Sequence, residues 1–223
     1  VLHPGWLGGF DKPGADDNIG AMEAQGDPKS RKSAPARITQ ILDVADRLVV
    51  EAGALPISMK KVGDLMGASR ALVYAYFPDP DRLAVAVLDR HMTWLAEAGA
   101  ATAASSGEFG QRALGCARIY LDHIAQHGPI VHISVRDLPV AREGPRPHVV
   151  LLGRLARSAR RDLRLGAHEA LVLLELLVAV PEEAGRLVFE KALDLESARE
   201  LCDRLLVSSI DAVRPRGGKP RSA

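Results

Sequence analysis

The sequence predicts an all-α protein, and three observations carry that expectation. Apolar residues fill 47% of the 223 positions but aromatics only 4%, a balance dominated by Ala, Leu and Val that suits helices packed on helices. Apolar positions recur every three or four residues along most of the chain, the period of a helix with one inward face. The one stretch that alternates like a strand, Ile130 to Leu138, has no second strand to pair with and is therefore assigned as a short helix.

Residues 1–33 are rich in Gly, Pro, Asp and Lys without periodicity and are expected to be disordered. They carry Asp11, Asp16, Asp17, Glu23 and Asp27 before a small basic cluster of Lys29, Arg31 and Lys32. That cluster suits either an arm along phosphates or a solubilising tail. The chain opens on Val1, which reads either as an alternative start codon taken literally, with Met22 the true start, or as a processing boundary. Val1 to Phe10 has neither the basic start nor the sustained apolar run of a secretory signal.

Ile38, Ile41, Leu42, Ala45, Leu48 and Val49 form a clean helical face that Gly53 ends. Next come two short helices and a turn. Ser58 can cap the first, with Val62, Leu65 and Met66 as its apolar residues, and Gly67-Ala68 supplies the turn. Ser69 can cap the second, which points Val73 and Phe77 inward and Arg70, Ala71, Leu72, Tyr74 and Ala75 outward. Asp79 as cap and Pro80 at the first helical position start a longer helix, expected to reach about Ala98 with Leu83, Val87, Trp94 and Leu95 inward.

This is a helix-turn-helix pattern. Its outward face suits a DNA groove: Arg70 can fork onto guanine, Ala71, Leu72 and Ala75 can lie on thymine methyls, and tyrosine hydroxyls can reach phosphates. With Ser58, Lys60, Ser69 and Tyr76, these residues are the candidate DNA-binding set. An ordinary helical hairpin with half-buried tyrosines is the competing reading. From Pro28 to Arg82 the formal charge is about +3, modest for a DNA binder, so two copies acting together are expected.

The segment from about Ile38 to Leu88 resembles the DNA-binding domain of the TetR family of bacterial repressors. The match runs through Glu51-Ala52-Gly53, Ser58-Met59, Gly67-Ala68-Ser69 and Val73-Tyr74-Ala75-Tyr76-Phe77 to an acid-capped helix. Two residues depart from the family pattern. Pro80 stands where a phosphate-contacting lysine is common, and Gly63 replaces a usual alanine, at a cost of up to about 1 kcal/mol if mid-helix. The resemblance implies a three-helix DNA-binding domain followed by a helical ligand-binding and dimerisation bundle. It further implies a ligand in that bundle that loosens DNA binding by changing the spacing of the two heads.

In the second half, Gly99 to Gly107 reads as a connection, and Phe109 to Gln126 as a helix stopped by Gly128-Pro129. Arg142 to Pro147 reads as a loop. His148 to about Leu165 is a helix with five arginines, Arg154, Arg157, Arg160, Arg161 and Arg164, for which a solvated face is expected. The helix from Ala167 to Ala192 is apolar all round in its first half, and Pro181 should kink or split it. Asp194 caps a last helix with a seam of Leu195, Ala198, Cys202, Leu205 and Ser209, followed by a basic tail from Arg214.

Leu171, Leu174, Val178, Ala198, Cys202 and Leu205 are therefore the candidate dimer residues. A ligand pocket is expected among Trp94, Leu95, Tyr120, His123, His127 and Leu174, and its apolar lining suits a neutral, hydrophobic effector. His123 and His127, four apart, are at best half a zinc site, and no metal or cofactor is expected. Cys116 and Cys202 lack metal spacing and read as reduced thiols of a cytoplasmic protein. No apolar run is long enough to span a membrane, and no nucleophile, phosphate loop or paired acid suggests an enzyme.

The resulting domain expectation is 1–33 extension, 34–83 DNA-binding domain, 84–213 helical bundle and 214–223 tail. The functional expectation is a ligand-responsive dimeric repressor on a palindromic double-stranded operator. A related activator without small-molecule inducer stands beside it. The rival from another class is a helical small-molecule carrier or enzyme whose N-terminal hairpin only packs.

Overall fold

The computed structural model describes residues 33–138 and 147–214, and the side chain of Pro147 is not among them. Ten helices and no strand form among the described residues: α1 Ala34–Ala52, α2 Met59–Met66, α3 Arg70–Tyr76, α4 Pro80–Glu97 and α5 Ala100–Ala103, then α6 Phe109–His127, α7 Ile130–Asp137, α8 Pro147–Leu163, α9 Ala167–Phe189 and α10 Leu195–Val213. The expected N-terminal extension, the loop up to residue 146 and the tail beyond Arg214 lie outside the described residues. The described residues from Ala34 to Arg214 pack as one compact unit.

Side-chain oxygens set the helix starts, as the spacing of Ser and Asp suggests. Ser58 Oγ accepts the Lys61 N–H at 3.3 Å, Ser69 Oγ the Leu72 N–H at 3.1 Å, and Asp79 Oδ1 the Arg82 N–H at 2.6 Å. Asp194 does the same for Ser197 at 2.8 Å. Each bond satisfies one donor that the first helical turn leaves open. Gly67 closes α2 in the left-handed conformation at φ 63°.

The first three helices and the start of α4 share one core. Ile41, Val44, Ala45, Val49, Val62, Val73, Phe77, Leu83 and Val87 fill it, and Ile130 and Ile133 of α7 complete it. Two expected inward residues are not inside: Ile38 is partly exposed and Leu65 is 56% exposed. The reason is register. In the two turns of α2, Met59, Val62 and Gly63 are buried, with Met66 half-buried below them, which leaves Leu65 about a third of a turn off the face.

Gly63 has a packing role. A Cβ there would lie 2.9 Å from the Ala68 carbonyl oxygen and 3.3 Å from the Arg70 nitrogen, so the absent side chain lets α2 approach the start of α3.

The second core lies among α6, α8, α9 and α10, around Phe109, Leu121, Leu155, Leu163, Leu174, Leu177, Cys202, Leu206 and Ile210. Three expectations are corrected there. The stretch after Gly99 includes the short helix α5, whose Ala100 is buried against α4 residues. Of the kink or split expected at Pro181, the split does not occur, and α9 runs unbroken to Phe189. Proline forfeits one main-chain bond, but the helix on either side is held against α6: four residues on, a Cβ on Gly185 would sit 2.7 Å from that of Ile124.

The third correction is the seam of α10. Ala198, Cys202, Leu206 and Ile210 face the protomer's own core, while Leu205 is 54% exposed and Ser209 is exposed. Each four-residue step advances about 40° around a straight helix, so the buried stripe slants across α10 between α6 and α9 instead of following a heptad seam, and Leu205 is left outside.

Candidate functional site

Three groups of side chains stand out, and the first is the surface of α3. Ala71 and Ala75 are exposed, Leu72, Tyr74 and Tyr76 are half-buried, and Val73 and Phe77 anchor the helix from beneath. Arg70 lies along this surface: Nη2 donates to the Tyr74 hydroxyl at 2.9 Å, and the guanidinium stands 5.0 Å from the ring centre. Tyr74 and Tyr76 also pack against the core, so each is both wall and edge. Ser58 and Ser69 use their hydroxyls as caps. Lys60 is exposed and paired with Asp64 at 2.8 Å, a contact weak enough in water to yield to a stronger anion.

The second group lines a half-open cavity of about 260 Å³ between α4, α6, α7, α8 and α9. Its walls are mainly apolar, with Met92, Leu95, Val131, Leu151, Leu155, Leu174 and Leu177 among them. Polar atoms gather where Glu182 Oε1 accepts the Tyr120 hydroxyl at 3.0 Å and meets His132 Nδ1 at 3.1 Å. Burial and then the adjacent Glu182 charge hold the Tyr120 phenol well above its usual range. Burial also pushes the wall thiol of Cys116 up to about 11.

Of the expected pocket residues, the structure brings Leu95, Tyr120 and Leu174 to this cavity; Trp94, His123 and His127 do not line it. Those three form the third group instead, around the fully buried His91 of α4. Asp46 of α1 takes Arg90 Nη2 and, at 3.1 Å, His91 Nε2. His91 Nδ1 meets His123 Nε2 at 2.9 Å, and His127 stacks on Trp94 with ring centres 4.6 Å apart. An ionised Asp46 favours the proton on His91 Nε2, which leaves Nδ1 to accept from His123. Burial first, then neighbouring histidines, lowers His123 to about 3.

The physical reason these rings miss the cavity is polarity, since each finds a polar or aromatic partner across the α1–α4–α6 junction. Among the described residues, no group of three His, Cys, Asp or Glu is arranged to hold a metal ion.

No protein-family model matches the chain, and no curated protein is similar enough to match it. Solved structures do match. A TetR-like transcriptional regulator from Rhodococcus sp. RHA1 superposes with a TM-score of 0.55 at 20% identity, over 81% of this chain and 99% of that one. The fatty acid degradation regulator FadR from Bacillus halodurans superposes with 0.51 at 13% identity, over 76% and 97%.

The chain has the TetR-type regulator fold.

A TetR variant from Acinetobacter baumannii AYE in complex with minocycline also matches, at 0.50 and 13% identity over 78% of this chain and 94% of that one. On this TetR-type frame, α2 and α3 are the helix-turn-helix and the cavity lies in the bundle.

Sequence reasoning missed Asp46, Arg90 and His91 as a network, and Glu182 as the cavity's polar end. Glu182 was within reach: it follows Leu174 and Val178 at four-residue steps, so an acid continues an apolar face. The three residues of the network carried no such local signal, because they meet only through the packing of α1 on α4 and α6.

The expected dimer residues divide between inside and outside. Leu174, Ala198 and Cys202 are buried within the protomer and Val178 is half-buried, whereas Leu171 and Leu205 are exposed. Leu176, 65% exposed, and Leu201 extend the outward apolar surface of α9 and α10. No described helix is long and apolar enough to cross a membrane.

Proposed function

We propose that this protein is a sequence-specific DNA-binding transcriptional regulator, a dimeric repressor that an apolar small molecule releases from a palindromic operator. Residues 34–83 act as the reading head and 84–213 as the effector and dimerisation body. Arg70 leaves Tyr74 to contact a guanine edge, Ala71, Leu72 and Ala75 approach bases, and Ser58, Lys60, Ser69, Tyr74 and Tyr76 fix the head on the backbone. Leu171, Leu176, Leu201 and Leu205 meet their counterparts across a two-fold axis, which sets the spacing of the heads.

One observation supports ligand control above the others: α7 belongs to both halves. Val131, His132, Val135 and Arg136 line the cavity, while Ile130 and Ile133 sit in the core of the head. A molecule that moves α7 therefore moves the packing of α1 and α4, and a change in head spacing follows. No catalytic step belongs to this reading.

The experiment is retention on immobilised duplex DNA at rising salt. A regulator elutes as a steep function of salt because its contacts release counterions. A carrier or enzyme whose hairpin only packs passes through at low salt, and that outcome overturns the reading.

A further inference from the structure

The cavity's polar end contains more acceptor than it uses. Glu182 is the carboxylate on the wall, with its side chain 21% exposed. The Tyr120 hydroxyl donates to Oε1, and His132 Nδ1 lies 3.1 Å from the same oxygen. Oε2 has no partner among the described residues.

The cation nearest in sequence to His132 on this wall, Arg136, is already committed. Its Nε and Nη2 bind the Asp137 carboxylate and Nη2 also donates to the Gly53 carbonyl, so Asp137 balances its charge. His148 and Cys116 are the other titratable groups on the wall, and burial keeps the Cys116 thiol protonated.

What remains open to a guest is a carboxylate oxygen at the end of an apolar chamber. Such a site favours a donor over an acceptor, and a charged donor over a neutral one, because charge-assisted hydrogen bonds are the stronger class. Among the described residues, an anionic guest would meet Glu182 as a like charge, with the Arg136 guanidinium already paired to Asp137. At about 260 Å³ the chamber is small, below the usual range of roughly 300–1,000 Å³ for drug-sized ligands.

We propose that the effector is a compact apolar amine, its ammonium held by Glu182 Oε2 and its hydrocarbon part enclosed by Met92, Leu95, Leu155 and Leu177. This rests on the reading of the cavity as an effector site and replaces the neutral effector expected from the sequence. Glu182 is then the residue that sets specificity, and Tyr120 and His132 are positioning residues that hold its other oxygen.

The test is isothermal titration calorimetry at pH 7 with three probes of one chain length: octylamine, octan-1-ol and octanoate. Octylamine should bind at least about tenfold more tightly than octan-1-ol, the step expected between a charge-assisted and a neutral bond, with octanoate weakest. Glu182→Gln keeps an acceptor but removes the charge, and should erase the amine's advantage while leaving octan-1-ol within about threefold. The wild-type ranking decides on its own if that variant fails to fold.

Octanoate binding as well as octylamine, equal binding of amine and alcohol, no binding of any probe, or an advantage that survives Glu182→Gln would each overturn the proposal. DNA retention measured on the same samples separates the two claims. Loss of DNA binding by the wild type would defeat the regulator reading and leave the amine ranking standing.

Discussion

Asp137 Oδ2 accepts the backbone N–H of Leu55 at 2.9 Å, joining the last turn of α7 to the loop that leaves α1. Its neighbour Arg136 donates to the Gly53 carbonyl at 2.8 Å in the same loop and grips the Asp137 carboxylate. That grip, then the Leu55 N–H, holds Asp137 down at about 2. A depressed acid contributes stability above its unfolded value of 3.8, and that contribution disappears as pH falls through about 2. At neutral pH the bond is therefore fully present.

Asp137→Asn removes the charge that organises this joint. Operator binding and effector binding should each stay within about threefold of wild type, while the effect of one on the other shrinks, since coupling is a separate free energy from either affinity. The measurement is operator affinity by fluorescence anisotropy with and without saturating effector. An undiminished response in the variant would place the coupling outside α7.

Arg70→Ala should weaken the specific site by about 1–3 kcal/mol and leave random DNA nearly unaffected, the signature of a base contact. Tyr74→Phe removes the hydroxyl that accepts from Arg70. It should weaken all sequences alike if that hydroxyl meets phosphate in the complex. Equal loss on both kinds of DNA for Arg70→Ala would assign Arg70 to the backbone.

Leu205→Glu and Leu176→Glu place charge on outward positions of α10 and α9. Both should run as folded monomers in size-exclusion chromatography with light scattering. Cys202→Glu, one turn from Leu205 but buried, should instead lower the melting temperature sharply by burying an unpaired carboxylate. Dimers that persist in both surface variants would move the interface elsewhere.

His123 gives the protein an acid-sensitive region. Its folded value is lowered to about 3 from 6.5, so the folded state refuses a proton that the unfolded chain accepts. Stability from neutral His123 is present above pH 6.5 and is lost progressively as pH falls toward 3. Thermal melts from pH 7.5 to 4.5 should show this decline, and His123→Gln should flatten it. A variant that keeps the full wild-type slope would assign the acid sensitivity to other groups.

Much of the head was legible because its signals are local. Ser58, Gly67, Ser69, Asp79 and Pro80 act within a turn of themselves, and Val73 and Phe77 follow a period that no distant contact overrides. Legibility fell where packing decides. Leu65 lost its place to Met59 and Gly63 because α2 is only two turns long. Pro181 was carried through a continuous helix by the contact of α9 with α6.

The cavity was half legible for the same reason. Leu95, Tyr120 and Leu174 lie on the expected faces, but His123 and His127 turned to His91 and Trp94, partners from another helix. The seam of α10 was read at a seven-residue period, but the stripe turned to its own core, Ala198, Cys202, Leu206 and Ile210, slants around the helix where it packs on α6 and α9.

Selection of binding sites from a random duplex library with purified full-length protein tests the central claim most directly. Two identical heads related by a two-fold axis should enrich a palindrome whose half-sites lie about one helical turn, or a little more, apart. Arg70→Ala should lose the enrichment at one position in each half. Failure to enrich any motif, or enrichment of one without two-fold symmetry, would contradict the account.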